Sequence, residues 1–435
     1  MRIPLAINLL AVLLALAAAA AQAAVPTDGL PMTGLEQPEL APLDELMTSF
    51  ITSHAVPGAS MALAKDGRLL YARGFGYADV AEKRPVHPGS LFRIASISKP
   101  ITAVAVLQLV EAKKLRLAEP VLEFLTSDKP GSPAVLALPA GAKLHPLLEK
   151  VTVLELLRHT GGWDSARSGD PMFQSVRIAE AVGVRPPAMP VDILRYVFGR
   201  PLDFEPGTTY VYSNFGYSVL GRVIEKASGQ PYEAYVREHV LGPLSIRGMR
   251  LGKTLLKDRA PAEVRYYDEH ERTGPCVFAG RLGEQVPLPY GTWCLEAMDS
   301  HGGWLASAAD LVRFAAALDN PETCPLLKAE SIETMFARPR GAAGRGPDGK
   351  PAPAYYGCGW MVRPVGLKAN TWHAGALDGT STLLVRRYDG LTWAVLFNTR
   401  YGNLKDEDLA GKIDPLVHEA VGKVKEWPHG TVPEP

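Results

Sequence analysis

The chain has 435 residues, 47% hydrophobic and 21% charged, which is enough apolar side chain for a large buried core and excludes a disordered protein. Its 46 Lys and Arg balance 46 Asp and Glu to a formal net charge of zero, and no basic run or aromatic-basic stripe stands out, so nucleic acid is excluded as a partner on electrostatic grounds. Four cysteines without a Cys-x-x-Cys, and the absence of His-x-His and His-Glu-x-x-His, exclude a zinc ribbon and give no reason to expect a metal or cofactor.

Arg2 precedes an apolar stretch to Ala20 and the small-residue site Ala21-Gln22-Ala23, the pattern of a secretory signal peptide over residues 1–23. Cleavage there predicts a periplasmic or secreted protein with no stable membrane association; the alternative is an uncleaved anchor. Residues 24–42, rich in Pro and Gly, read as an N-terminal arm. Leu43, Leu46, Met47, Phe50 and Ile51 then recur at helical spacing and stop before Pro57-Gly58. Residues 59–64 and 68–75 flank an Asp66-Gly67 turn and predict a β-hairpin.

The segment Phe92-Arg93-Ile94-Ala95-Ser96-Ile97-Ser98-Lys99-Pro100 leads into an apolar run whose only polar residues before Lys113 are Thr102, Gln108 and Glu111. A buried helix is expected, beginning near Ser96, with Ser96 and Lys99 one turn apart on the same face. A serine hydroxyl is a weak nucleophile and a charged lysine is no base, but burial and the positive end of a helix dipole both disfavour the ammonium. Lys99 would then take the Ser96 proton. Taken alone, Ser-x-x-Lys is equally an ordinary helix start, with Ser96 or Ser98 as its cap.

Further along, residues 151–158 read as a helix running into His159-Thr160-Gly161-Gly162, and Phe215, Val219, Val223 and Ile224 mark another that stops at Gly229. Residues 126–143 and 341–353 are Gly- and Pro-rich surface loops. Cys276 and Cys294 are the preferred disulfide pair by proximity, buried free thiols being the alternative. Residues 381–388 and 391–397 meet at Asp389-Gly390 in a second hairpin, and Leu409, Ile413, Leu416, Val417 and Val421 line a closing helix. Together these elements predict an α+β fold. Residues 43–95 and 355–425 would build one antiparallel β-sheet from both termini, flanked by the terminal helices, with residues 96–354 as an inserted, mainly helical domain.

With Ser96-Ile97-Ser98-Lys99, Tyr212-Ser213-Asn214 and His373-Ala374-Gly375 in order, the chain resembles the serine β-lactamase and penicillin-binding-protein superfamily. It is most similar to the class C and esterase/D-aminopeptidase-like branch. Supporting landmarks are Leu156-Leu157-Arg158-His159-Thr160-Gly161-Gly162, Glu205-Pro206-Gly207-Thr208, Gly302-Gly303-Trp304 and Asp310-Leu311-Val312-Arg313-Phe314, over roughly residues 43–422. The resemblance implies that Ser96 is the nucleophile of an acyl-enzyme and Lys99 the amine that helps deprotonate it. Tyr212 would be a phenol that shuttles protons, its pKa lowered by cations such as Lys99 unless Lys99 shares the work. Asn214 would bind the substrate acyl group, and backbone N–H groups of Ser96 and Ala376, beside Gly375, would form the oxyanion hole.

At His373 the chain departs from the penicillin-recognising members, which carry Lys there to hold a carboxylate. A mostly neutral histidine shifts the expected substrate toward small esters, amides or peptides. The alternatives are a β-lactamase or D,D-carboxypeptidase acting on penicillins or peptidoglycan stems, and a non-catalytic binder of cell-wall fragments or filament-forming relative. An α/β-hydrolase is set aside, because Gly58-Ala59-Ser60-Met61-Ala62 is followed by a hairpin turn rather than a helix. His159 and His301 are expected to hold loop backbones, and Trp163, Trp304, Trp360 and Trp372 to pack in the core.

Overall fold

The computed structural model describes residues 29–128, 134–137, 144–268, 270–404 and 407–433. The expected signal peptide and much of the 126–143 loop lie outside the described residues.

The predicted hairpins form as strands β2 (Gly58–Lys65) and β3 (Arg68–Asp79) at one end of the chain, and β7 (Thr380–Arg386) and β8 (Leu391–Phe397) at the other. Their pairing joins the termini: β2 runs antiparallel to β8, with Ala59 opposite Phe397 and Lys65 opposite Leu391. Strand β1 (Met32–Thr33) extends the sheet beyond β3, and β4 (Tyr355–Tyr356), β5 (Met361–Val365) and β6 (Lys368–Leu377) extend it beyond β7. The order is β1-β3-β2-β8-β7-β6-β5-β4, with Arg84–Pro85 paired to β3. The arm at 24–42 is therefore partly structural: Met32 and Thr33 pair with Phe75 and Gly74.

Alternation along the strands directs two sets of side chains to opposite faces. Met61, Leu63, Trp393, Val395 and Phe397 pack in one core with Leu43, Met47 and Phe50 of helix α1 (Ala41–Ser53) and Ile413 and Val417 of the closing helix, Leu409–Gly422. Ala62, Ala64, Ala394 and Leu396 face the other way into a second core. Small side chains at Ala62, Ala64 and Ala394 leave room there for the helix Ala308–Ala316 to lie close to the sheet.

The same core contains α2 (Ser98–Glu111), α3 (Val153–Leu157) and α4 (Asn214–Ser228) of the 96–354 segment. Apolar residues surround α2 on all sides, as suits a helix buried throughout its length. It starts two residues later than the sequence suggests, because Ala95–Ile97 forms a separate 3-10 turn. Helix α4 is capped by the Ser213 hydroxyl, which accepts from the Gly216 N–H at 3.2 Å, and ends at Gly229 with φ +76.

All four cysteines are free, which corrects the preferred Cys276–Cys294 pair. Their side chains serve different neighbours: Cys294 Sγ lies 3.8 Å from Glu296 Oε2, while Cys276 Sγ packs beside Gly291. A core of this size has no need of a covalent staple. Among the described residues no helix is long and apolar enough to cross a membrane, and no three His, Cys, Asp or Glu side chains are grouped to hold a metal ion.

Candidate active site

Three separate parts of the chain meet at Ser96. The Ala95–Ile97 turn presents it half-buried, and Ala95 takes φ +46, a left-handed conformation unusual for a residue with a Cβ. This turn is anchored from beneath by Arg93. The Arg93 guanidinium, 1% exposed, donates to the carbonyls of Pro289, Lys253 and Thr254, lies against the rings of Tyr266, Tyr290 and Trp293, and faces Glu263 at 3.6 Å. Beyond Trp372, the last β6 residue opposite β5, strand β6 runs alongside the turn. A Cβ on Gly375 would stand 2.3 Å from the Ile94 carbonyl oxygen and 3.1 Å from the Ser96 nitrogen, so only glycine permits this approach. Ala376 follows in the same strand, opposite Ser381.

Lys99 is completely buried, and its Nζ lies 3.1 Å from Ser96 Oγ, 2.8 Å from Asn214 Oδ1 and 3.0 Å from the His301 carbonyl oxygen. Burial lowers the amine from an ordinary 10.5 to about 7, against an opposing pull from the Asp170 carboxylate. Both protonation states fit this geometry. An ammonium donates to all three oxygens. A neutral amine has two N–H bonds for the two carbonyl-type acceptors, which leaves its lone pair directed at the Ser96 hydroxyl.

Tyr212, immediately before the α4 cap, is hydrogen-bonded to Ser96, and its ring centroid lies 4.7 Å from Lys99 Nζ. Burial raises its pKa well above 10, so of the two expectations, a phenol lowered by Lys99 or a Lys99 that shares the work, the geometry is compatible with the second. Burial thus favours the neutral phenol at Tyr212.

The surrounding groups are also neutral. His373 on β6 is 5% exposed, with Nδ1 at 2.6 Å from the Ala374 carbonyl oxygen and Nε2 at 3.0 Å from the Tyr356 hydroxyl. A carbonyl only accepts, so Nδ1 carries the proton and Nε2 accepts from Tyr356. Burial, and next the nearness of Lys99, bring His373 down to about 3. His159 is held low by burial, Lys99 and His373; its Nδ1 accepts from the Ser213 N–H at 3.2 Å and its ring packs against Tyr212 and Tyr356. Burial, then Lys99, likewise keeps His301 uncharged. The expectation that a histidine ring holds backbone fits His159, whereas at His301 it is the backbone carbonyl that meets the amine. Trp304 and Trp360 are fully buried, whereas Trp163 borders a cavity.

Sequence reasoning missed Asp170. Its Oδ2 accepts from Asn214 Nδ2 at 2.7 Å, and its Oδ1 accepts from the Met172 N–H at 3.0 Å, capping a 3-10 turn. The only local signal was Asp before Pro, a turn starter. Asp170, Asn214, Trp163, Val197 and Leu202 border a cavity of about 300 Å³ adjoining the site. A larger groove of about 1270 Å³, lined by Phe336, Leu367 and Tyr388 among others, contains none of the site residues.

An antiparallel sheet closed by both termini, with a half-buried Ser beside a buried Lys at the start of an enclosed helix, is the architecture of a serine hydrolase of the Ser-x-x-Lys type. The family model described as Beta-lactamase matches residues 43–417, and the chain belongs to that family. It is 31% identical to the esterase EstB of Burkholderia gladioli over 404 residues, covering 88% of this chain and 94% of that one. It is 28% identical to penicillin-binding protein 4* of Bacillus subtilis (strain 168) over 364 residues, 80% and 69% of the two chains. Among solved structures, the D-amino acid amidase of Ochrobactrum anthropi SV3 superposes with a TM-score of 0.64 at 21% identity, covering 88% of this chain and 99% of that one, a likeness of fold.

Proposed function

We propose that this protein is an exported serine hydrolase that cleaves small esters or amides through an acyl-enzyme on Ser96. The observation that carries this reading is the 3.1 Å contact between Ser96 Oγ and a fully buried amine held at about 7. In acylation the Ser96 oxygen bonds to the substrate carbonyl carbon and its proton passes to Lys99. The C–O or C–N bond to the leaving group then breaks as Tyr212 protonates the departing atom and recovers a proton from the Lys99 ammonium. Water reverses the sequence in deacylation. The N–H groups of Ser96 and Ala376 are the proposed oxyanion donors, the arrangement worth about 3–4 kcal/mol in such sites.

The preference for esters and amides over penicillins rests on His373, which is buried, neutral and committed to Tyr356, and so offers a substrate carboxylate no fixed charge. The similarity to an esterase over nearly the full length of both chains supports the same choice. The test is labelling by a fluorophosphonate together with turnover of p-nitrophenyl esters, D-amino acid amides, nitrocefin and D-Ala-D-Ala peptides. Labelling abolished in Ser96→Ala, with ester or amide turnover exceeding nitrocefin turnover, is the expected result. Absence of labelling in the native protein rejects the reading.

A further inference from the structure

Lys99 acts as a base on Ser96 only if its lone pair points there, which requires its two N–H bonds to be taken up elsewhere. One acceptor is the His301 carbonyl, fixed by the backbone. The other is the side-chain amide of Asn214, which can turn either its oxygen or its NH2 toward Lys99. Asp170 decides which. Its carboxylate accepts and does not donate, so Asn214 Nδ2 must face Asp170 and Oδ1 must face Lys99. Asp170 is itself held by the Met172 N–H at the start of the Pro171–Phe173 turn.

Resting on the reading of Ser96 and Lys99 as the acylating pair, we infer that Asp170 is a positioning residue for this reaction: through Asn214 it aims the Lys99 lone pair at Ser96. Its negative charge also favours the ammonium, opposing burial. Among the described residues, the other titratable groups around Lys99 are kept neutral at pH 7 by burial: Tyr212 just before α4, Tyr217 on α4, His373 on β6, His159 after α3, and His301.

Asp170→Asn keeps an oxygen for the Met172 N–H and removes the charge. Its NH2 group opposes that of Asn214, which turns over, donates to Lys99 and takes the lone pair from Ser96. The experiment is the second-order rate of fluorophosphonate labelling against pH for native protein, Asp170→Asn and Asp170→Glu, with melting temperatures measured alongside. In Asp170→Asn the plateau rate falls by at least about tenfold, a part of the ~10²–10⁴ that general-base assistance contributes, and the acidic limb moves to lower pH. Asp170→Glu restores the limb toward its native position. Should Asp170→Asn fail to fold, Asp170→Ser, which keeps a hydroxyl acceptor for the turn, gives the same reading. A native profile retained in the uncharged variant overturns the inference and leaves the Ser–Lys reading standing, while a native protein that does not label removes that reading itself.

Discussion

Gly375→Ala tests whether strand β6 and the Ser96 turn must touch. The added Cβ would lie 2.3 Å from the Ile94 oxygen and 2.5 Å from Thr382 Oγ1, so the two segments must separate by about 1 Å to reach ordinary contact. Thr382 cannot simply rotate away, because its hydroxyl is within hydrogen-bonding distance of the Ile94 oxygen at 3.1 Å and the Gly375 oxygen at 3.2 Å. Overpacking of this kind costs about 1–3 kcal/mol of stability. The larger effect is on catalysis: moving Ser96 and its N–H by about 1 Å from the strand lowers the rate by roughly 10²-fold. The assay is kcat/KM on a p-nitrophenyl ester beside the urea midpoint. Gly422→Ala serves as control, since that helix-end position has ordinary φ and no atom within 4 Å of the new Cβ, and its stability should change by less than about 1 kcal/mol. If Gly375→Ala keeps native activity and stability, the close approach of β6 to the turn is not needed and the argument from Gly375 fails.

The remaining expectations concern proton transfer and charge. With Lys99 proposed to work as the neutral amine, acylation should rise with pH through a midpoint near 7 and lose about 10²–10⁴-fold in Lys99→Met. The same shift makes stability rise between about 7 and 10.5, where the unfolded chain binds the proton that the folded one has released; urea midpoints of native protein against Lys99→Met measure this difference. Tyr212→Phe should lower kcat by about 10²-fold and leave the acidic limb near 7, whereas a limb displaced by the loss of the phenol would make Tyr212 the base. His373→Lys places a second cation near Lys99, so nitrocefin acylation should increase and the limb should move to lower pH; an unchanged nitrocefin rate would mean that this position does not face the substrate carboxylate.

What the sequence made legible is what local rules encode. Asp66-Gly67 and Asp389-Gly390 mark hairpins because the turn demands those residues and the flanking strands alternate, and both form as expected. Leu43, Met47, Phe50, Ile413 and Val417 mark the terminal helices by their 3.6-residue period. Ser96, Lys99, Tyr212 and Asn214 were found through a pattern of motifs, and they do converge. The missing parts have no local signature. A lone aspartate in a loop becomes informative only when folding places Asn214 against it, and the His301 carbonyl that holds Lys99 is a backbone atom whose use does not depend on residue type. The two alternatives for Tyr212 could not be separated in the sequence for a related reason: nearness to a lysine suggests a lowered pKa, but the degree of burial decides, and burial is a property of the whole fold.

Burial also links the residue at 373 to the base at 99. A fixed cation at 373 would strengthen carboxylate binding and further disfavour the Lys99 ammonium, whereas a neutral histidine does neither. In this chain the amine is lowered by desolvation alone and partly restored by Asp170, which brings it to about 7 rather than far below. Once Lys99 is neutral, the Asp170 carboxylate beside Asn214 has no cation at the amine to balance it. On the proposed reading, an anionic substrate would meet no fixed cation at 373 and a carboxylate nearby, whereas a neutral acyl group would bring no charge of its own to be desolvated. The proposed preference for uncharged esters and amides would in this sense follow from how the base is kept unprotonated.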